Sequence, residues 1–401
     1  MIKTQQVFKN PHIKSFLFSM FIFGVSVGLY GGVLNNFLAD ILNIDRFGRG
    51  VVEFLRELPG LLLFLMLALL YRIPENRIVR ISFFIALLGM AGLAFATEAR
   101  WMAVTLIVLW STGEHLMMPV RQSISIHSAI PGKEGVAMGL TRSAGNIGSV
   151  IGFYMVSLIF MGFGHFEELM TYRVVFGLGA LFTLAGLLFT LRLGQSEGHV
   201  KRPRMMLLPK YRKYYILEMF FGARKQVFMT FAPYVLILNY GASTQLIATL
   251  YGIFSLANIF MNPVMGKLVD TIGHKAVLIL DSFLLILLCF LYGFAHHLFP
   301  GEWAFRVICV VFVLDAMLFS AGIARAVYVR TLSDNQEELT GTLSTGISVN
   351  HLISVVIALL GGLLWERLGM EILFSAAALF GIASLFYTMT LPGRKKILEP
   401  V

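Results

Sequence analysis

Stretches of about twenty residues without a single charge recur along this chain, and nothing else in the sequence constrains its fold as strongly. Residues 81–97, 174–191 and 372–391 contain no Asp, Glu, Lys or Arg. An apolar segment of ~20 residues is long enough to cross a ~30 Å hydrocarbon core as an α-helix. In that medium every backbone N–H and C=O must find its partner inside the protein, which leaves helices for segments of this length. Of the 401 residues, 57% are hydrophobic and 13% are charged, too little charge to coat a water-soluble particle. Twelve spans are predicted, over residues 15–39, 50–71, 78–97, 101–124, 136–162, 172–193, 213–238, 243–265, 275–297, 303–328, 340–364 and 371–392. An even number returns both termini to one side.

The net charge of +10 is not pooled on one surface. One set of span ends holds Lys3, Lys9, Lys14, Arg72, Arg77, Arg80, Lys133, Lys201, Arg202, Arg204, Lys210, Arg212, Lys213, Lys267, Lys275, Arg394, Lys395 and Lys396. The other set holds only Arg46, Arg49, Arg100, Arg173, Arg306 and Arg367. Lys and Arg accumulate on the cytoplasmic side of short loops, so both termini are expected there, in a multi-pass protein of the cytoplasmic membrane. The first apolar stretch is too long for a signal-peptide core and reads as an uncleaved first helix. Cys289 and Cys309 lie in separate apolar runs and form no disulfide framework.

A repeat divides the chain. At a constant offset of 204 residues Arg121 falls on Arg325, Glu134 on Glu338 and Asn146 on Asn350, with 176–177 on 380–381 and 181–182 on 385–386. Two pseudo-symmetric bundles are expected, residues 1–194 and 214–401, joined by a polar and then basic linker over 195–213. Repeats of this kind mark many transporter folds, with the solute site near mid-membrane. The linker's charge reads as topology and attraction to anionic lipid headgroups rather than as a nucleic-acid surface.

The loop after the eighth span reads Gly266-Lys267-Leu268-Val269-Asp270-Thr271-Ile272-Gly273-His274-Lys275. It resembles the G-x-x-x-D-x-x-G-[basic]-[basic] signature of the major facilitator superfamily, at the loop position where that family carries it. The resemblance implies an all-α membrane protein with twelve transmembrane helices in two six-helix bundles, the major facilitator fold. It also implies a cytoplasmic gate. Gly266 would let two helices approach, Asp270 would accept hydrogen bonds at a neighbouring helix N-terminus, Gly273 would make the reversal and Lys275 would sit in the positive layer. The first-half copy, residues 72–77, has no glycine and no aspartate. The fifth span lacks the proline of the family's drug/proton antiporters, and the fourth carries Glu114 where those commonly show an arginine motif.

Ionisable residues at membrane depth are costly and usually face the bundle interior or a wet cavity. In the seventh span these are Arg224 and Lys225, in the tenth Asp315, and in the eleventh His351, beside the polar Asn350. Arg224 or Lys225 reads either as a docking point for a solute anion or as a structural partner of Asp315. The first reading expects Arg224→Ala to abolish transport and leave folding intact. In the first half Glu114 lies at a depth matching Arg142, so the two could pair. Alternatively Glu114 carries a proton that Arg142 tunes, with Asn146 one turn on. Asp315 is the second proton-carrying candidate. Glu53 and Arg56 are spaced as an intrahelical pair, with Glu57 beside them. Arg121, Arg325, Glu218 and Asp281 read as gate or headgroup contacts. Gly24, Gly28 and Gly32 form a small-residue seam on the first helix.

No phosphate-cradling loop, HExxH motif or nucleophile elbow is present, so neither an enzyme nor a cofactor is expected. His296-His297 lies at an outer loop with no third ligand nearby in sequence and reads as an interface pair rather than a metal site. The expected function is secondary active transport of a small organic solute, an anion or zwitterion, by alternating access and driven by protons. A proton-coupled multidrug exporter is the second reading; a lipid flippase and a non-transporting receptor follow. The expected partners are the solute, the bilayer and protons, in a monomer without nucleic acid.

Overall fold

Apolar runs that must bond their own backbone become helices, and the computed structural model contains no strand among its described residues, only an isolated bridge between Phe8 and Ala129. The structure describes residues 7–8, 13–70, 72–95, 99–130, 133–162, 168–193 and 207–393. Lys3, Lys9, Lys201, Arg202, Arg204, Arg394, Lys395, Lys396 and linker residues 195–206 lie outside them.

The helices group into the rods expected from sequence. In order they are α1 (Ile13–Ile41), α2 (Arg46–Leu61 continued by Leu63–Leu69), α3 (Glu75–Ala94), α4 (Arg100–His127), α5 (Glu134–Gly162) and α6 (Glu168–Thr190). Then come α7 (Arg212–Gln226 continued to Tyr240), α8 (Thr244–Ile272), α9 (His274–Leu298) and α10 (Gly301–Leu332). The helical stretch Gln336–Met389 breaks at Gly369, whose φ of 88° no helix permits, giving α11 (336–368) and α12 (370–389). Nine helices among the described residues are long and apolar enough to cross a membrane, with 341–389 counted as one. The charge-bearing rods α2 and α7 are not among the nine.

Two compact units result. The first comprises Met1–Asp45, Leu55–Lys201 and Gly241–Ser255; the second comprises Arg46–Phe54, Arg202–Tyr240 and Leu256–Val401. Neither is one continuous stretch of chain, so each includes a short segment from outside the sequence half it otherwise resembles.

The first unit is built on the expected glycine seam. A methyl group at Gly24 would overlap the Gly145 carbonyl, and one at Gly28 would overlap that of Ser149. From the facing helix, methyls at Gly148 and Gly152 would meet the carbonyls of Phe21 and Val25. α1 and α5 therefore touch backbone to backbone, an approach only small residues permit. Ser26 ties α1 to α6, donating to the Gly179 carbonyl at 2.8 Å and lying 2.7 Å from the Thr183 hydroxyl. Phe23 and Tyr30 pack on the buried Trp110 of α4. The α8 segment within this unit is tied by polar pairs: Tyr172 with Thr244 at 2.8 Å, Ser157 with Thr249 at 2.9 Å, and Asn35 with Tyr251 at 3.2 Å.

In the second unit the α2 segment packs through Gly50, where an added methyl would overlap the Ala358 carbonyl and come within 3.1 Å of the Gly362 Cα. Lys213 and Lys275 donate to the last carbonyls of α12, at 2.6 Å to Thr390 and 2.7 Å to Met389. Cations belong at that end of a helix dipole. Outside the membrane spans, Lys210 bridges Asp334 and Glu338 at 2.8 and 2.7 Å. Hydrogen bonds to these two carboxylates hold its ammonium charged above the usual lysine range.

Candidate functional site

The most concentrated buried charge in the second unit is organised around α7. This rod is α-helical to Gln226, opens into one π-turn over Val227–Phe231, and resumes at Ala232. Pro233 supplies a local cause. It has no N–H to donate, and its ring crowds the carbonyl four residues earlier, at Met229 inside the wider turn. Such turns frequently accompany functional positions. Arg224 sits just before it.

Arg224 is 2% exposed and lies between two aspartates. Its Nη1 donates to both carboxylate oxygens of Asp281 on α9, at 2.9 and 3.1 Å, and its Nη2 donates to Asp315 Oδ1 on α10 at 3.2 Å. The Nε has no hydrogen-bond partner among the described residues. The Phe319 ring closes one side, 5.5 Å from the guanidinium carbon. Arg224 and Asp281 line a cavity of about 20 Å³ together with Ser282, Ser384 and Arg325, room for about one water. With both aspartates ionised the cluster carries one net negative charge; with one proton bound it is neutral.

This corrects the anion-docking reading of Arg224. A guanidinium already shared by two buried carboxylates is not a free cation. The structure does unite Arg224 with Asp315, as the structural reading allowed, and adds Asp281, which the sequence had assigned to a gate or headgroup contact. Glu218 and Arg325 are both buried, so neither is a headgroup contact here. They pair with each other at 2.8 Å, both buried, with the guanidinium 3.7 Å from the Phe221 ring centre. Asp281 and Arg224 are 57 residues apart, and no local spacing links them.

Lys225, one residue on, is half-buried and makes no hydrogen bond or ion pair among the described residues. Asn350 and His351 are buried at 6% and 7% exposure. Asn350 lies against α7 at Gly222, where an added methyl would come within 2.9 Å of the Asn350 carbonyl.

The loop motif is present in part. Gly273 adopts φ 87°, and its N–H closes the α8 terminus on the Val269 carbonyl at 2.9 Å, the expected reversal. Lys275 points back to α12 as described. Gly266 has nothing within 4 Å of the position a Cβ would take, so the expected close helix approach is absent at that residue. Asp270 is exposed and forms no hydrogen bond among the described residues.

In the first unit Arg142 and Asn146 are exposed on α5, and Arg142 makes no ion pair among the described residues. Glu114 is half-buried on α4. The expected Glu114–Arg142 pair is therefore not formed, although both lie near enough to Arg121 to act on its charge. Beside Glu114, Ser111 donates to the Arg56 carbonyl at 2.6 Å and approaches His115 Nδ1 at 3.0 Å. On α2, Arg56 binds Glu57 at 2.8 Å within this unit. Arg49 binds Glu53 at 2.9 Å within the other.

Residues 214–400 match the sequence model of the Major Facilitator Superfamily. No curated relative matches the chain in sequence. Among solved structures, a mutant of the nucleoside transporter NupG superposes with a TM-score of 0.75 at 15% identity, covering 95% of this chain and 99% of that one. A D-xylose–proton symporter gives 0.73 at 15% identity, covering 95% and 98%. A POT family transporter in complex with 5-aminolevulinic acid gives 0.72 at 13% identity, covering 94% of each chain.

Proposed function

We propose that this chain, which has the Major Facilitator Superfamily fold throughout and that family's sequence pattern over residues 214–400, is a secondary transporter of a small organic solute. It works in the cytoplasmic membrane by alternating access, with both termini cytoplasmic, and protons drive it. The observation that carries the proton assignment is the buried Arg224–Asp281–Asp315 cluster. Two carboxylates around one guanidinium leave one negative charge uncompensated, and a buried group of that kind is stabilised by taking up a proton. The small cavity beside Asp281 offers one water as a relay. Asp315 is thus kept as a coupling residue, Asp281 joins it, and Arg224 holds the pair in place. Glu114 is a second candidate carrier in the first unit.

For the solute, an organic anion or zwitterion is favoured by Lys225. It is a half-buried cation in a membrane rod with no protein partner among the described residues. Asn350 and His351, buried in the same unit as Lys225, supply polar groups for the remainder of the solute. Fold alone does not select a substrate, and the three similar structures are described with chemically different molecules: a nucleoside, D-xylose and 5-aminolevulinic acid.

The test is uptake into proteoliposomes under an imposed pH gradient, using a panel of nucleosides, sugars, short peptides and organic acids. Accumulation of an acid or zwitterion, lost in Lys225→Met and made gradient-independent in Asp315→Asn, is the expected result. Active extrusion of lipophilic cations would replace this reading with the drug-exporter one. Gradient-driven accumulation unchanged in Asp315→Asn and in Asp281→Asn would remove the coupling assignment.

A further inference from the structure

The outer ends of α9 and α12 bring together three side chains that the transport reading does not use. His296 and His297 occupy the last turn of α9, and Glu371 lies just after the Gly369 break at the start of α12. His296 Nε2 is 3.0 Å from Glu371 Oε1, and His297 Nε2 is 3.6 Å from the same oxygen. The ligand atoms of all three lie within 4.8 Å of one another. The two imidazoles face each other at 3.9 Å between centroids, tilted by 42°. In sequence the histidine pair had no third ligand nearby; folding brings one from 75 residues away.

We infer that His296, His297 and Glu371 form a binding site for a divalent transition metal ion of the Zn²⁺ class. Two neutral imidazoles and a carboxylate are a donor set that suits zinc and its neighbours. Metal–ligand bonds of ~2.0–2.2 Å place the ligands of a tetrahedral ion about 3.3 Å apart. The two separations from Glu371 bracket that value, and the third lies within 4.8 Å, so side-chain rotation has only that remaining gap to close on the ion. The side chains are 33%, 61% and 32% exposed, which leaves an approach and an open coordination position. Beside them lies a cavity of about 410 Å³ lined by Arg46, Asn239, Tyr240, His296, Trp365 and Glu371. The Tyr240 hydroxyl there is buried and has no hydrogen-bond partner among the described residues.

The Gly369 break is what places the carboxylate. With φ at 88° the chain reverses out of α11, and a side chain at 369 would press on Glu371 Oε2, 2.7 Å from the Cβ position. Two ligands on α9 and one on α12 make the bound ion a clip between the outer ends of these helices. A simpler arrangement uses the same atoms without metal: histidines favoured at a helix C-terminus, ion-paired to Glu371 when protonated. The two differ in stoichiometry and in pH dependence. Metal competes with protons for imidazole, so its binding weakens as pH falls through the histidine range. The ion pair strengthens over the same range.

The experiment uses full-length protein in detergent, freed of any polyhistidine tag and stripped with a chelator. Titration with ZnCl₂ followed by calorimetry is expected to show one equivalent bound at neutral pH, weaker at mildly acidic pH, with a rise in unfolding temperature. His296→Ala, His297→Ala and Glu371→Gln are each expected to weaken binding by about tenfold or more, since loss of even an outer partner of a metal ligand costs that much. Co²⁺ in place of Zn²⁺ should give the visible absorption of a four- or five-coordinate ion in the wild type only. No saturable Zn²⁺ binding, or binding unchanged in all three variants, overturns the assignment. None of these readouts depends on transport, so a failed uptake assay leaves the metal site standing, and failed metal binding leaves the transport reading standing.

Discussion

Arg224 divides one positive charge between two buried carboxylates, and this fixes what its removal does. Taking away one partner of a buried ion pair leaves the other charge desolvated, at a cost of about 3–5 kcal/mol. Here two aspartates would be left. Arg224→Ala is therefore expected to lower the unfolding temperature markedly and to reduce the folded yield, not merely to stop transport in an intact protein. Replacing the whole cluster, Arg224→Met with Asp281→Asn and Asp315→Asn, removes every charge and should restore most of the stability. It should not restore gradient-driven uptake. The check is thermal unfolding followed by tryptophan fluorescence, together with the monodisperse yield from gel filtration. An Arg224→Ala protein as stable as wild type would mean that the aspartates find water, and that the cluster is open rather than sealed.

At the scale of elements, the rods and the glycine seam were legible in the sequence, whereas the partners of the charges were legible only in part: Asp315 was named beside Arg224, and Asp281 was not. Periodic apolar runs specify helices locally, because backbone bonding in a hydrocarbon has one solution per segment. Gly24, Gly28 and Gly32 announce a close seam by their spacing alone; that Gly145, Gly148 and Gly152 face them is a fact of the packing. Which carboxylate meets Arg224 depends on how α7, α9 and α10 pack, and no spacing within one helix encodes that. Glu371 escaped notice as a neighbour of His296 for the same reason. Gly266 shows the reverse error, a motif residue credited with packing that is absent. The contrast between glycines gives a measurement. Gly28→Leu and Gly148→Val place side chains on facing backbone, where no rotamer helps, and overpacking of ~1–3 kcal/mol or more is expected. Gly266→Ala meets nothing within 4 Å and gains helix propensity of up to ~1 kcal/mol. It should fold at least as well as wild type. If its flux falls while its stability holds, the motif glycine serves a conformation other than this one. A destabilised Gly266→Ala would contradict the open surroundings seen here.

For the whole molecule, the asymmetry of Lys and Arg makes the strongest statement about orientation, because it sums many residues and rests on no single contact. Two turns test it from opposite sides. Lys267 on α8 belongs to the lysine- and arginine-rich set, and Glu302 on α10 follows the turn beyond His296 and His297, at the opposite set of helix ends. Both are exposed, so a cysteine placed at either is open to reagent. Of the native cysteines, Cys289 is buried and Cys309 half-buried; replacing both by serine or alanine removes the background. In intact cells a membrane-impermeant maleimide is expected to label Glu302→Cys and to spare Lys267→Cys, which should react only after lysis. That outcome puts both termini in the cytoplasm and turns the His296–His297–Glu371 cluster toward the outside, where free metal ions would reach it directly. The inverse pattern would reverse the charge argument. It would also reverse the sense in which an imposed proton gradient is expected to drive the solute, and would place the metal ligands on the cytoplasmic face.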